Sequence, residues 1–511
     1  MRNQGIGSWP ARRARMAPGR TAIICEGRRY SYSEVYGRVT RLAHALRGLG
    51  VRPGDRVAYL GWNLPALPET LFAVGTIGAV FVPLNPRLAP PELAPIVADC
   101  GADVLIWDAS LAETVAAIRP QVAVGHYITT GPGDAQTRGY EDMIDGAAQE
   151  PIDEPVGLDE LCMIQYTSGT SGRPKGVMLT HANIAWNCYN ILIDVDVASS
   201  EVSLVSAPMF HTAALNQLFL PTFIKGGRAV LMLSFDPGRA LDLIAEHKVT
   251  WMFGVPAMFD AMARADGWAQ ADLSSVRILM CGGAPVPGTL IRTYQDRGLT
   301  FVQGYGLTES APGALFLRAD ESVSKAGSAG TPCFFSDVRV VRTDLTDVGV
   351  NEIGEVIISG PNVMRGYWQL PDATAATILD DGWLRTGDGA TVDADGYVFI
   401  SGRVKDMFIS GGENVYPAEI EAVLFQHPAV ADCAVIGVSD ERWGEVGHAV
   451  VVLKEGSTAS AAEVLRFFDG KLARYKIPRT VDFAGALPRN ASGKVLKTRL
   501  RQHYGTASPP A

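Results

Sequence analysis

Between Tyr166 and Gly176 the chain reads YTSGTSGRPKG, a short stretch dense in hydroxyl side chains and glycine that ends in a lysine. Gly169, Gly172 and Gly176 allow successive N–H groups to turn toward one anion, and Thr167, Ser168, Thr170 and Ser171 add hydrogen bonds. That is chemistry for holding phosphate. It is not a Walker loop, in which lysine and a hydroxyl open a helix: here the order is Lys175-Gly176, and Pro174 removes a donor. Nor is it a hydrolase elbow, because Ser171 is followed two residues on by Arg173 rather than glycine. Taken alone, the loop also reads as a solvated Ser/Gly turn.

The flanks say how such a loop would be held. LCMIQ before it is apolar enough for a strand, and VMLTHANIAWNCYN after it reads as a short strand and then a helix with Thr180 as N-cap. Apolar helical periods alternate with short β-branched runs from about Tyr30 to Ser310, as in VYGRVTRLAHALRGLG before DRVAYLGW and LDLIAEHKV before TWMFGV. Such alternation predicts α/β layers around parallel sheet. Past Gly330, VRVVR, GEVIISG and GYVFISG predict a β-rich lobe. After Arg403 the runs PAEIEAVLFQH, ADCAVIGVS, HAVVVLKEG and AAEVLRFFDGKLARY predict a compact helix, strand, strand, helix module. The expected architecture is a large multi-layer N-terminal domain, residues 1–402, with two α/β subdomains and a β-rich lobe. A small mobile α+β domain, residues 403–511, follows it.

Composition narrows the chemistry. The 511 residues are 47% hydrophobic and 19% charged, as in a globular protein, and the net charge of -9 argues against a face that tracks nucleic-acid phosphates. The 7 cysteines form no CxxC pair, and no histidine lies at ligand spacing, which predicts a reducing compartment without structural zinc. The amino terminus has arginines but no apolar run behind them, so the expected location is cytoplasmic. LFAVGTIGAVFVPL, broken by Gly75 and Gly78, predicts a core helix running into a strand rather than a membrane span. Peripheral membrane contact and a homodimer stay open.

The loop is the first of eight segments in a fixed order: YTSGTSGRPKGVMLTH, APMFH, CGGAP, GYGLTE, GEVIISGPNVMRGYW, WLRTGD, DGYVFISGRVKDMFISGGENVYPAEIE and PRNASGK. Over nearly its whole length the chain resembles the adenylate-forming superfamily, and most nearly its bacterial fatty-acyl and aryl-CoA synthetases. The resemblance implies a two-step reaction: carboxylate and Mg-ATP give acyl-AMP and pyrophosphate, then the thiol of coenzyme A takes the acyl group.

It also implies roles for residues. Thr167 through Lys175 would hold the β and γ phosphates, with Lys175 an assistant. Glu309 would bind Mg²⁺, and Thr308 the α-phosphate. Gly283, Ala284 and Pro285 would wall the adenine, and Tyr305 would stack on it. Asp388, helped by Arg403, would take the ribose hydroxyls. Lys494 would reach in from the small domain to the carboxylate and α-phosphate, Lys405 would be the hinge, and Ser410, Gly411, Gly412 and Trp443 would line the pantetheine tunnel. Individually these have plainer readings, a turn aspartate or a solvated arginine.

The acyl pocket implied by the resemblance takes His211, Thr212, Ala213, Ala214, Asn216, Gly254, Val255, Ala257, Gly282, Gly306, Ala311 and Pro312. These are mostly small and apolar, so a long chain or a bulky ring acid is expected rather than acetate. An amino-acid adenylating enzyme would show an aspartate soon after the phosphate loop. APMFHTAALN has none, and Asp236 in SFDPGRA reads as an N-cap. An enzyme that hands acyl-AMP to a carrier protein or a separate ligase is the alternative.

Overall fold

A computed structural model describes residues 2–167, 174–410, 413–440, 442–489 and 494–504. Two large sheets carry the N-terminal part. In the 9-stranded sheet, the strands Thr21–Cys25, Arg228–Leu231, Val202–Val205, Trp251–Gly254, Ile278–Cys281 and Phe301–Gly306 lie side by side and parallel, with antiparallel strands at both edges. The 8-stranded sheet is parallel from Leu161–Thr167 outward through Val80–Leu84, Arg56–Leu60 and Ala102–Trp107. Helices bury their apolar stripes against both, because strands of this β-branched composition, apolar on each face, must be covered twice.

Local signals set the element ends. Ser31 and Glu34 form a reciprocal capping box at the helix Tyr32–Gly48, and Thr180 does the same with Asn183 at His181–Asp194. Asp236 accepts from the Arg239 N–H, so it is the N-cap its sequence context predicts. The apolar run around Gly75 is a buried helix, Ala66–Thr76, released by Gly78 at φ +72° into the strand Val80–Leu84. Among the described residues no helix is long and apolar enough to cross a membrane.

The β-rich lobe is a 4-stranded antiparallel sheet of Asp337–Val341, Gly354–Ser359, Leu384–Val392 and Val398–Arg403. The large buried core runs from Ile6 to Val398, and a separate one begins at Phe408 and reaches Val481. The latter sits between the helix Pro417–Leu424 and a 5-stranded sheet whose longest pair is Val430–Asp440 with Gly444–Leu453. One expected helix is shorter than its apolar period: AAEVLRFFDGKLARY is helical only over Ala461–Arg466. Gly470, at φ +72°, turns the chain before Arg474.

His181 opens the helix behind the phosphate-loop hairpin and is fully buried. Its Nδ1 accepts from the Ile6 N–H at 3.2 Å, while Nε2 has no partner among the described residues. Burial lowers its pKa to about 4. The neutral ring is therefore the folded form, and unfolding takes up a proton below the ordinary value near 6.5. Stability is full above that value and is lost as pH falls through the window from 6.5 to 4, by about 2 kcal/mol at pH 5. Urea unfolding of wild type and His181→Gln at pH 7.5 and pH 5 should show this acid loss to be larger in wild type by that amount. An equal loss in both would mean that His181 does not carry it.

Candidate active site

The phosphate loop hangs on a hairpin. Leu161–Thr167 pairs antiparallel with Lys175–Thr180, and Thr167 stands opposite Lys175, so both loop ends are tied to one pair. Ser168, Gly169, Thr170 and Ser171 lie outside the described residues. Gly176 is tightly enclosed: a Cβ there would come within 2.8 Å of Ile164 and 3.1 Å of Tyr166. A short strand, Gly366–Tyr367, adds to the hairpin by pairing with Met178 and Val177. Through it the Lys175 Nζ comes to 4.7 Å from the centre of the Tyr367 ring. The Tyr367 hydroxyl in turn donates to Glu309 Oε1 at 2.9 Å.

The parallel strands Ile278–Cys281 and Phe301–Gly306 end at this level, where open α/β sheets offer binding crevices. Gly283, at φ +82°, opens the Gly283-Ala284-Pro285 segment directly beyond the first of these strands. Tyr305, in the second, is fixed by its hydroxyl, which donates to Asp388 Oδ2 at 2.6 Å. Asp388 and Arg403 are cross-strand partners in the β-rich lobe, and the Arg403 Nε stands 2.8 Å from Asp388 Oδ1. Only 7% of Asp388 is exposed. Burial raises its pKa, opposed by the Arg403 guanidinium and the Tyr305 hydroxyl. Thr308 and Glu309 follow in a single 3₁₀ turn, Thr308–Ser310.

Lys494 is brought to the same place. The residue is exposed, yet desolvation and then Arg403 lower its pKa, while Asp388 and Glu309 oppose them. His211 feels that ammonium too. Burial first, then Lys494 and Arg87, lowers the His211 pKa to about 4, so the ring is neutral and packs 4.5 Å from Phe210. The structure thus gathers Lys494, Asp388, Arg403, Glu309 and His211 from segments nearly three hundred residues apart.

The residues expected to line an acyl pocket include a π-helix, Ala213–Phe219, preceded by Thr212. Such turns widen a helix locally and mark functional sites more often than cores. Asn216 donates through Nδ2 to the Ala311 carbonyl at 3.3 Å, tying the π-helix to the turn after Glu309. Gly306 permits that turn, since a Cβ would lie 1.6 Å from the Pro312 carbonyl oxygen. A Cβ on Gly282 would likewise come 2.7 Å from the Gly304 carbonyl oxygen, and Val255 lies 3.6 Å from the Cβ position of Gly283, next to Gly254. Small residues at these positions are required by backbone approach as well as by any ligand.

Two expected residues lie elsewhere. Ser410 is buried in the strand Phe408–Ser410 and pairs with Gly444, so Trp443, 39% exposed with Arg442 over its ring, stands beside it. Both are on the small domain's own sheet, with no hydrogen bond or ion pair to the cluster among the described residues. Gly411 and Gly412 are outside those residues. Lys405 is exposed in the 3₁₀ turn Val404–Asp406 between the two cores. Tyr367 was not singled out from the sequence; its motif, MRGYW, was visible, but a tyrosine in an apolar turn reads as core.

Residues 10–368 match the AMP-binding enzyme family and residues 419–494 its C-terminal domain. The chain belongs to that family, the adenylate-forming acid–thiol ligases, which use ATP and coenzyme A. It is 54% identical over 505 residues to a feruloyl-CoA synthase of an Amycolatopsis species, covering 99% of this chain and 100% of the relative. With an indoleacetate–CoA ligase of Aromatoleum aromaticum it shares 42% over 501 residues, 97% and 98% of the two chains. A crystal structure of an anthranilate CoA ligase with anthranoyl-AMP superposes with TM-score 0.92 at 27% identity, covering 98% and 97%.

Proposed function

We propose that the protein is an AMP-forming CoA ligase for a bulky aromatic carboxylic acid, such as a hydroxycinnamic or arylacetic acid. The observation that supports the reaction is that the Lys494 ammonium lies within electrostatic reach of Asp388, Arg403 and Glu309, the first two an ion pair. Support for the acid comes from the small residues beside the π-helix and from the feruloyl-CoA synthase and indoleacetate–CoA ligase relatives.

In this reading a carboxylate oxygen of the acid attacks the α-phosphorus of ATP in line, the bond to pyrophosphate breaks, and a mixed anhydride forms. Lys494 offsets charge on the carboxylate and α-phosphate oxygens as it builds, where positioned donors gain most. Asp388 accepts from the ribose hydroxyls with Arg403 holding its other oxygen, Tyr305 and Gly283 to Pro285 enclose the adenine, Thr308 donates to the α-phosphate, and the loop from Thr167 to Lys175 holds the departing pyrophosphate. Neutral His211 contacts the carboxyl end of the acid.

Glu309 would hold a magnesium ion. A lone carboxylate with one oxygen already taken by Tyr367 suits a metal that keeps waters and substrate phosphates in its shell. The ion supplies counter-charge to those phosphates. The domain that follows Arg403 then turns about Lys405 and presents Ser410 to Gly412 and Trp443, along which the CoA thiol reaches the acyl carbon and displaces AMP.

A panel of fatty, arylacetic, benzoic and hydroxycinnamic acids, read separately for pyrophosphate and for thioester, tests this. Aromatic acids should give both products. Pyrophosphate without thioester would favour transfer of acyl-AMP to a carrier or partner, and activity confined to fatty acids would remove the aromatic assignment.

A further inference from the structure

Tyr367 sits where three parts of the site meet. Its backbone pairs with Val177, two residues beyond Lys175, so Lys175 and Val177 share a face of the strand and the tyrosine ring lies diagonal to the lysine. The ring is 4.7 Å from the Lys175 Nζ, a cation–π distance, and its hydroxyl donates to Glu309 Oε1 at 2.9 Å. The same segment also fixes the Glu309 backbone, since the Met364 N–H donates to the Glu309 carbonyl at 2.8 Å. Tyr367 is buried, with 7% of the residue exposed, and the Thr374 hydroxyl accepts from the Tyr367 N–H at 2.9 Å.

We infer that Tyr367 is a positioning residue that orients the Glu309 carboxylate toward the metal of Mg-ATP and couples it to the phosphate-loop lysine. This rests on Glu309 being the metal carboxylate. A glutamate side chain has three torsions to settle, and a hydrogen bond to one oxygen, donated from a rigid strand, fixes the plane in which the other is offered. The ring does a second job as the seat of the Lys175 ammonium, so the loop's cation is held near the phosphate position by the same side chain. An aromatic residue kept only for packing would serve equally well as phenylalanine. The hydroxyl aimed at a carboxylate is what packing leaves unexplained.

The test is direct ATP binding by calorimetry on the full chain, with ATP and without an acid substrate, at several Mg²⁺ concentrations and in EDTA, for wild type, Tyr367→Phe and Glu309→Gln. Tyr367→Phe should raise the Mg²⁺ concentration for half-maximal enhancement of ATP binding by about 5- to 10-fold, the loss of one charge-assisted hydrogen bond. Its melting temperature and its ATP affinity in EDTA should match wild type. If Glu309→Gln shifts the Mg²⁺ dependence and Tyr367→Phe does not, the positioning role is wrong. If Tyr367→Phe weakens ATP equally with and without Mg²⁺, the hydroxyl is only structural and the inference fails. If Glu309→Gln itself leaves the Mg²⁺ dependence unchanged, the reading of Glu309 falls instead, and the inference with it.

Discussion

Replacing Lys494 by alanine should lower acyl-AMP formation by at least ~10²-fold, about 3 kcal/mol, as expected for one donor that acts on developing charge. Reaction of supplied acyl-AMP with coenzyme A should persist. The asymmetry follows from where the residue sits. Lys494 comes from beyond the small domain's sheet, yet its ammonium shares an electrostatic environment with Asp388, Arg403 and Glu309, the residues proposed for the nucleotide. Ser410 and Trp443, proposed for the CoA side, belong to a different part of that domain. A rapid-quench measurement of each half-reaction separates the two. Equal loss in both would mean that one arrangement of the domains serves both steps.

Lys405→Pro should do the reverse, sparing acid-dependent pyrophosphate exchange while reducing thioester formation below about 1% of wild type. Lys405 occupies the first turn of a 3₁₀ helix, where proline's fixed φ is accommodated, so the arrangement that holds Lys494 in the site survives. What proline removes is the freedom to leave it. Single-turnover assays should find acyl-AMP accumulating on the enzyme, and an unchanged overall rate would take the pivot away from Lys405. The two variants together split the reaction from opposite sides.

Much of this was legible in the residues. The α/β alternation and the β-rich lobe were carried by apolar period alone, and the hairpin under the phosphate loop by LCMIQ and the Thr180 cap. Tyr305, Asp388 and Arg403, proposed for the nucleotide, were visible as motif members, but not how they hold one another. That Tyr305 donates to Asp388 depends on a strand nearly eighty residues away folding alongside, and no local propensity encodes such a partner. The π-helix at Ala213–Phe219 was hidden because its composition is that of an ordinary helix. Tyr367 was hidden because burial of an aromatic ring has a sufficient explanation until the atom facing its hydroxyl is known. The helix from Ala461 ends at Arg466 and the chain turns at Gly470, a positive-φ position that an apolar period does not encode.

The aspartate–arginine pair at Asp388 and Arg403 closes the last strand pairing of the large domain, and the proposed pivot lies two residues beyond it. A turn made there swings everything after it while leaving the clamp on the ribose in register. In the proposed cycle the mixed anhydride, which water would destroy, is therefore never set down between steps. It stays anchored by its sugar while one set of tools withdraws and another arrives, and the commitment of each activated acid to its thioester depends on how little slack those two residues allow.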